Sequence, residues 1–402
     1  MKTNIKASLL NSADAELANQ ILRTCVHCGF CNATCPTYQL LGDENDGPRG
    51  RIYLIKQMLE GQAAGESTRN HLDRCLTCRN CETTCPSGVD YAHLLDIGRK
   101  KIEEQVPRHL KERITRQLLR SVLPYKQRFS PLLRLGQLFK PFLPAAIKKK
   151  IPKRMAKGQL PPVAHSRKMI ILDGCVQPAL SPDINTATAR VLHKLGISLL
   201  QIKDAGCCGA VSQHLSAEEE ALAFMKRNID AWWPAIESGI EAIVITASGC
   251  GAMIKEYGYY LRHDPDYAEK ARKVSAMCKD ISEVISQEDL SRINRVNPQK
   301  IAWHPPCTLQ HGQKITGVVE QILTQCGFDL VPVQDQHLCC GSAGTYSILQ
   351  PEIAQQLQKN KINALMENQP DMIVTANIGC QTHLQEVSER PVIHWIHLLD
   401  RN

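Results

Sequence analysis

The sequence predicts an α+β multidomain chain: a helical N-terminal domain, then two duplicated α/β domains built on parallel sheets. Three observations carry that prediction. The spacing C-x2-C-x2-C-x3-C-P occurs twice near the N-terminus, as Cys25, Cys28, Cys31 and Cys35 with Pro36, and as Cys75, Cys78, Cys81 and Cys85 with Pro86. Helical periodicity lies between and after these runs. From residue 168 onward a second pattern repeats: Cys175, 31 residues, Cys207-Cys208-Gly209, 40 residues, Cys250; then Cys307, 31 residues, Cys339-Cys340-Gly341, 38 residues, Cys380.

Residues 1–105 form the first expected domain. The tandem cysteine run is the one that holds [4Fe–4S] cubes in bacterial two-cluster ferredoxins, where the fourth cysteine serves the other cluster. That rule assigns Cys25, Cys28, Cys31 and Cys85 to one cluster, and Cys75, Cys78, Cys81 and Cys35 to the other. Zinc sites usually separate two C-x2-C pairs by a longer loop and rarely place three cysteines in succession, which argues against zinc. Between the runs, Ile52, Leu54, Ile55, Met58 and Leu59 keep helical spacing, and Gly61 is the expected stop. Residues 91–105 read as another helix. Helices here favour a helical ferredoxin over the small strand-rich kind. Arg49, Gly50 and Arg51 read as packing residues, ahead of a role in a cluster's charge.

Residues 106–167 form a basic connector. Between Pro107 and Lys168 there are 17 Lys and Arg against the single acid Glu112, so the rest of a chain of net +8 is acidic. Leu, Phe and Ile interleave with the cations, and prolines interrupt them. That mixture suits a membrane surface carrying anionic lipid; the plainer reading is a solvated linker whose leucines pack on neighbours. Nucleic acid fits poorly, since aromatics are few and no recognisable module surrounds the run.

Residues 168–297 and 298–402 are the two expected repeats. In the first, strands are expected at 168–172, 197–202 and 242–246, with helices at 184–195 and 218–236. In the second, strands fall at 301–304, 330–333 and 372–376, with helices at 318–326 and 353–366. Alternating strands and helices imply a parallel sheet, whose sites form at the carboxyl ends of its strands. Cys175, Cys207, Cys208 and Cys250, and likewise Cys307, Cys339, Cys340 and Cys380, all follow strands. Each set is therefore a candidate redox or metal site. Cys326, before Gly327, reads as packing, and Cys278 reads as buried filler on a helix face. His304, His311, His337 and His383 each read as ordinary hydrogen-bonding residues.

Eighteen cysteines suit a reducing compartment, kept as ligands rather than disulfides. The N-terminal stretch mixes acids and bases without an apolar core, so it resembles neither a signal nor a transit peptide. No apolar run reaches the roughly 18 residues of a membrane span. The expected location is the cytoplasmic side of the inner membrane, peripherally bound. No Gly-rich dinucleotide fingerprint stands in a strand–turn–helix context, so flavin or nicotinamide chemistry is expected on another chain.

Taken together, the two cysteine patterns make the chain resemble the iron–sulfur subunits of membrane-linked respiratory flavoenzymes. Relatives include subunits of anaerobic glycerol-3-phosphate dehydrogenase, lactate-utilisation systems and heterodisulfide reductase B. The nearest resemblance is to glycolate oxidase (glycolate dehydrogenase) iron–sulfur subunits, carried by CVHCGFCNATCPTYQLLGDENDGPRGRIYLIKQ, HLDRCLTCRNCETTCPSGV, AGCCGAV, NIDAWWPAIE, TASGCGAMIKEYG, HLCCGSAGTY and TANIGCQTHL. The resemblance implies two [4Fe–4S] clusters, partner flavin subunits that oxidise glycolate to glyoxylate, and electron delivery to membrane quinone. Heterodisulfide reductase relatives carry a fifth cysteine in this domain; here Ala247 and Asn377 stand at that position, so the five-cysteine arrangement is absent. Whether the C-C-G sites hold a further cluster stays open. So do lactate or glycerol-3-phosphate as the partner's substrate, a thiol–disulfide enzyme, and a zinc-containing interaction protein.

Overall fold

Residues 1–6, 13–144, 148, 151–293 and 299–400 are described by the structure, a computed structural model. Contacts divide it into two compact units: Met1–Arg116 with His337–Lys361, and Gln117–Gln336 with Ile362–Asn402.

The first unit is helical: α1 (Ala13–Thr24), α2 (Phe30–Ala33), α3 (Pro36–Leu41), α4 (Pro48–Leu59), α5 (Glu66–Asp73), α6 (Asn80–Thr84) and α7 (Tyr91–Gln105). Pro36 and Pro48 open their helices, where the missing N–H costs nothing. The apolar periodicity of α4 and α7 becomes packing, with Ile55, Leu94, Leu95 and Ile102 fully buried alongside Leu22 and Leu72. Arg108, almost wholly buried, forks onto both oxygens of Asp73 at 2.6 and 3.0 Å, tying the start of α8 (Leu110–Val122) to α5. Helix α8 runs from the first unit into the second, and α9 (Lys126–Phe139) follows it. Neither α8 nor α9 buries a single residue. Leu110, Ile114 and Leu118 recur every fourth residue along α8 and are all exposed, as are Leu132, Leu135 and Leu138 of α9. Among the described residues, no helix is long and apolar enough to cross a membrane.

The second unit holds two four-stranded parallel sheets. The first is ordered β2-β1-β3-β4, from β1 (Arg167–Ile171), β2 (Ile197–Gln201), β3 (Ile243–Ile245) and β4 (Cys278–Asp280). The second is ordered β6-β5-β7-β8, from β5 (Lys300–His304), β6 (Asp329–Leu330), β7 (Met372–Thr375) and β8 (Val392–His394). Each expected strand is present, though β6 is only two residues long. The outer strands β4 and β8 were not anticipated, because three residues are too few to show a period. Cys278 is correspondingly corrected: it is buried as expected, but it opens β4 just after the helix Ala268–Met277. One apolar core runs through both repeats, from Ile184, Val191 and Val244 to Trp303, Val374 and Trp395. The repeats also join through backbone, with Ser248 N–H donating to Ala376 O at 3.1 Å.

Candidate metal centres

The two N-terminal cysteine runs lie on loops with the same backbone signature. In the first, His27 and Gly29 take φ of 61° and 88°; in the second, Thr77 and Arg79 take 53° and 62°. These are the positions two and four residues after the leading cysteine. Left-handed residues at alternate positions curl the backbone, and in the second loop Thr77 N–H donates to Cys75 Sγ at 3.4 Å. Three of the four residues are not glycine, so the loops hold backbone strain of about 1–3 kcal/mol at each. Only Gly29 announces this in the sequence.

The loops bring sulfur together around two cavities. One open cavity, about 430 Å³ including its mouth, is lined by Cys25, Cys28, Cys31 and Cys85, with Cys81 at its back wall. A second, about 300 Å³, is lined by Cys35, Cys75, Cys78 and Cys81. Each cavity thus meets three cysteines of one run and the last cysteine of the other. None of these eight thiols is in a disulfide. Burial pushes the Cys25 thiol up, and burial with the neighbouring Cys25 sulfur pushes Cys31 up to about 11. The donor set fits a cubane: four soft sulfurs around each space, apolar walls and, in the second loop, that N–H donated to sulfur. Cys28 is exposed, whereas Cys75, Cys78 and Cys81 are buried.

In the first repeat, four cysteines converge beyond the carboxyl ends of β1, β2 and β3. Cys175 follows β1, Cys207 and Cys208 follow β2, and Cys250 lies in the helix Ser248–Lys255 after β3. Their thiols act on one another in sequence, Cys175 with Cys207, Cys207 with Cys208, and Cys208 with Cys250. The Cys175 and Cys208 thiols, with the Gly209 N–H and the Arg227 guanidinium, hold the Cys207 thiol well below its usual range. Its partners are pushed up for the same reason.

A polar scaffold fixes this geometry. Gln177 Nε2 donates to Asn185 Oδ1 and Thr246 Oγ1 at 2.8 and 2.7 Å, and Asn185 Nδ2 donates to Leu172 O, lacing the strand ends together. Asn228 accepts from Gly206 N–H and donates to Cys207 O at 2.8 Å, while Tyr257 Oη donates to Cys208 O at 2.9 Å. Sequence reading missed Gln177, Asn185, Asn228 and Tyr257, because nothing but the fold brings them to the loop. Gly209 explains the third letter of C-C-G: its φ is +92°, and a side chain there would press on Ala221 O.

The second repeat distributes its cysteines differently. Cys307, after β5, and Cys380, in the helix Ile378–Gln385 after β7, belong to the second unit. Cys339 and Cys340 belong to the segment His337–Lys361 of the first unit. There Gly341 has φ +89°, and its N–H donates to Cys339 Sγ at 3.5 Å. Counting from the alanines that crowd the two glycines, Ala221 and Ala354, buried Lys361 holds the place of Asn228. His304 is buried, where the first repeat has Leu172, and a ring nitrogen lies within 4.8 Å of Cys380 Sγ. His311 and His383 are also buried. The positions without a fifth cysteine serve as helix caps: Ala247, and Asn377, whose Oδ1 accepts from Gly379 N–H at 3.2 Å. Cys326 is buried at a helix end, a packing position.

Comparison with known proteins agrees with this geometry. Residues 21–89 match the family described as 4Fe-4S dicluster domain, and residues 169–255 and 301–385 each match the family described as Cysteine-rich domain. The chain is 55% identical over 402 residues to the glycolate oxidase iron-sulfur subunit of Escherichia coli (strain K12), spanning 100% of this chain and 99% of that protein. It is 29% identical over 414 residues to the probable glycolate oxidase iron-sulfur subunit of Bacillus subtilis (strain 168), spanning 94% and 93%. A shorter likeness, 26% over 220 residues, covers 53% of this chain and 88% of lactate utilization protein A from Geobacillus thermodenitrificans (strain NG80-2).

Proposed function

We propose that this chain, which belongs to the family of glycolate oxidase iron–sulfur subunits, carries electrons from a flavin-bearing partner that oxidises glycolate to an acceptor at the membrane, quinone or its equivalent. The observation that carries this reading is a pair of cavities that share Cys81, each lined by three cysteines of one run and the last cysteine of the other, as in a two-cluster ferredoxin. Cys25, Cys28, Cys31 and Cys85 would hold one [4Fe–4S] cluster, and Cys35, Cys75, Cys78 and Cys81 the other. When bound, each cluster supplies a site that takes and gives up one electron at a time. The chain's own residues do the rest: sulfurs fix the centres, the Thr77 N–H offsets charge at one of them, and apolar walls limit water. Cys175, Cys207, Cys208 and Cys250 form a further candidate ligand set. The exposed basic helices α8 and α9 are the proposed membrane-facing surface, since cations beside exposed leucines suit an anionic lipid boundary. Lactate as the partner's substrate is the second reading, favoured by the likeness to lactate utilization protein A.

The test is Cys28→Ser in the assembled complex. Substrate should still reduce the partner flavin, while one cluster's iron and electron delivery to quinone are lost. Unchanged quinone reduction would overturn the assignment.

A further inference from the structure

The two N-terminal cavities differ most in the charge built around them. Arg51 is fully buried and lines the Cys35/Cys75/Cys78/Cys81 cavity. Its Nε donates to His71 O at 2.7 Å and its Nη2 to Thr37 Oγ1 at 3.2 Å; its one nearby acid is Asp46, at 3.6 Å. Asp46 is itself shared with Arg74 at 2.8 Å and His71 at 3.0 Å. Arg99 is also buried beside this run, and its hydrogen bonds go to neutral oxygens: Thr77 Oγ1, Leu72 O and Cys75 O, at 2.8–3.0 Å. Arg79, which also lines this cavity, is matched by Glu82 at 2.7 Å, so the buried excess of positive charge comes from Arg51 and Arg99.

Hydrogen bonds to sulfur point the same way. Tyr91 Oη donates to Cys75 Sγ at 3.6 Å, and the Thr37 hydroxyl stands 3.3 Å from Cys35 Sγ. At the other cavity, Arg49 is cancelled by Glu44 at 2.5 Å, with both side chains more than a third exposed. The N-terminal amine lies 2.6 Å from Cys25 O. A cluster gains negative charge on reduction, so buried cations and donors to its sulfurs favour the reduced form. Water at exposed Cys28 also favours the reduced form of a centre in the first cavity and so narrows the difference, but it acts as a mobile screening medium rather than as fixed charge.

We propose that Arg51 and Arg99 order the relay, placing the centre at Cys35, Cys75, Cys78 and Cys81 above its neighbour in potential. Electrons then enter at the rim of the first cavity, where Val26 and Phe30 are 67% and 61% exposed. They leave toward Cys339 and Cys340. The exit side follows from packing inside the first unit: Tyr346 Oη donates to Arg74 O at 2.9 Å, and Asn80 Nδ2 donates to His337 O at 3.2 Å. Tyr346 feels the sulfurs of both Cys75 and Cys339. Each transfer moves one electron, oxidising the centre it leaves and reducing the one it reaches, with no bond made or broken. Arg51 is thereby a positioning residue for charge, beyond the packing role its sequence context implies.

This rests on the two-cluster reading, and the experiment separates the two. Anaerobically purified complex is titrated redox-potentiometrically with EPR detection, the signals being assigned with Cys28→Ala, which removes a ligand of the first centre alone. Arg51→Met and Arg99→Met should each lower the second centre's midpoint enough to cut its reduced-to-oxidised ratio about tenfold at fixed potential, about 59 mV for one electron. Arg51→Lys, which keeps the charge, should restore it. If Arg51→Met loses iron, Arg99→Met decides alone. A second centre below the first in the native protein, or unmoved midpoints in iron-replete variants, would overturn the proposal. A native complex without two cluster signals would instead overturn the reading beneath it.

Discussion

Single residues set the conditions at each site, and glycine in the C-C-G motif is the clearest case. Both Gly209 and Gly341 are left-handed, but an added Cβ would stand 3.1 Å from a backbone oxygen at the first and 2.5 Å at the second. Gly341→Ala should therefore cost more than the ~1–2 kcal/mol of left-handed backbone strain alone, and Gly209→Ala about that amount. Urea midpoints of the two variants check the order; equal or reversed losses would refute it. His394 makes a pH prediction. Burial, helped by His397 and opposed by its Nε2–H donating to Thr246 O at 2.8 Å, pushes its pKa down to about 3. The unfolded ring protonates near pH 6.5. A depressed histidine contributes its full stability above that value and loses it as pH falls toward 3, by up to ~1.4 kcal/mol per pH unit. Thermal midpoints measured from pH 7.5 to 5 should fall for the native chain and fall less for His394→Gln.

At the scale of elements, parallel strands explain why cysteines far apart in sequence converge. All strand carboxyl ends in a sheet point the same way, so loops after β1, β2 and β3 share one edge. Helices α8 and α9 show the reverse: their leucines find no interior, and Lys111, Arg113 and Arg134 stand exposed among them. Neutralising these three cations should weaken binding to anionic vesicles by ~3 kcal/mol, roughly a hundredfold, at about 1 kcal/mol each. The native interaction should itself weaken with salt. Cosedimentation measures both, and an unchanged partition would leave the helices as a solvated connector. Of Lys148–Lys150, the tightest cluster in the sequence, only Lys148 lies among the described residues.

For the whole molecule, the division of labour follows from what this chain holds. Its sites are sulfur sites, and the hydride chemistry of a hydroxy acid needs a flavin carried elsewhere. The purified chain alone should be brown and rich in iron and acid-labile sulfide, yet reduce no acceptor dye with glycolate. Glycolate turnover without a flavoprotein would overturn the proposed electron-carrying role. The compact units also cut across the repeat. His337–Lys361, which includes the second C-C-G, groups with Met1–Arg116. A path from the second N-terminal cavity toward Cys339 can therefore lie inside one unit.

The sequence by itself determined the cysteine sets, the order of strands and helices, and the family, because ligand spacing and hydrophobic period are local and survive being read in one dimension. Through a rule about spacing it also leads to the proposed crossed pairing of Cys85 and Cys35 with the opposite runs. Only the tertiary structure decided what surrounds the sulfurs. Left-handed His27, Thr77 and Arg79, the laces of Gln177 and Asn185, and the short strands β4 and β8 leave no period to read. Arg51 shows the limit best: beside Arg49 in the sequence it is one cation among many. Burial removes the water that would screen it, and its charge becomes a lever on its neighbours.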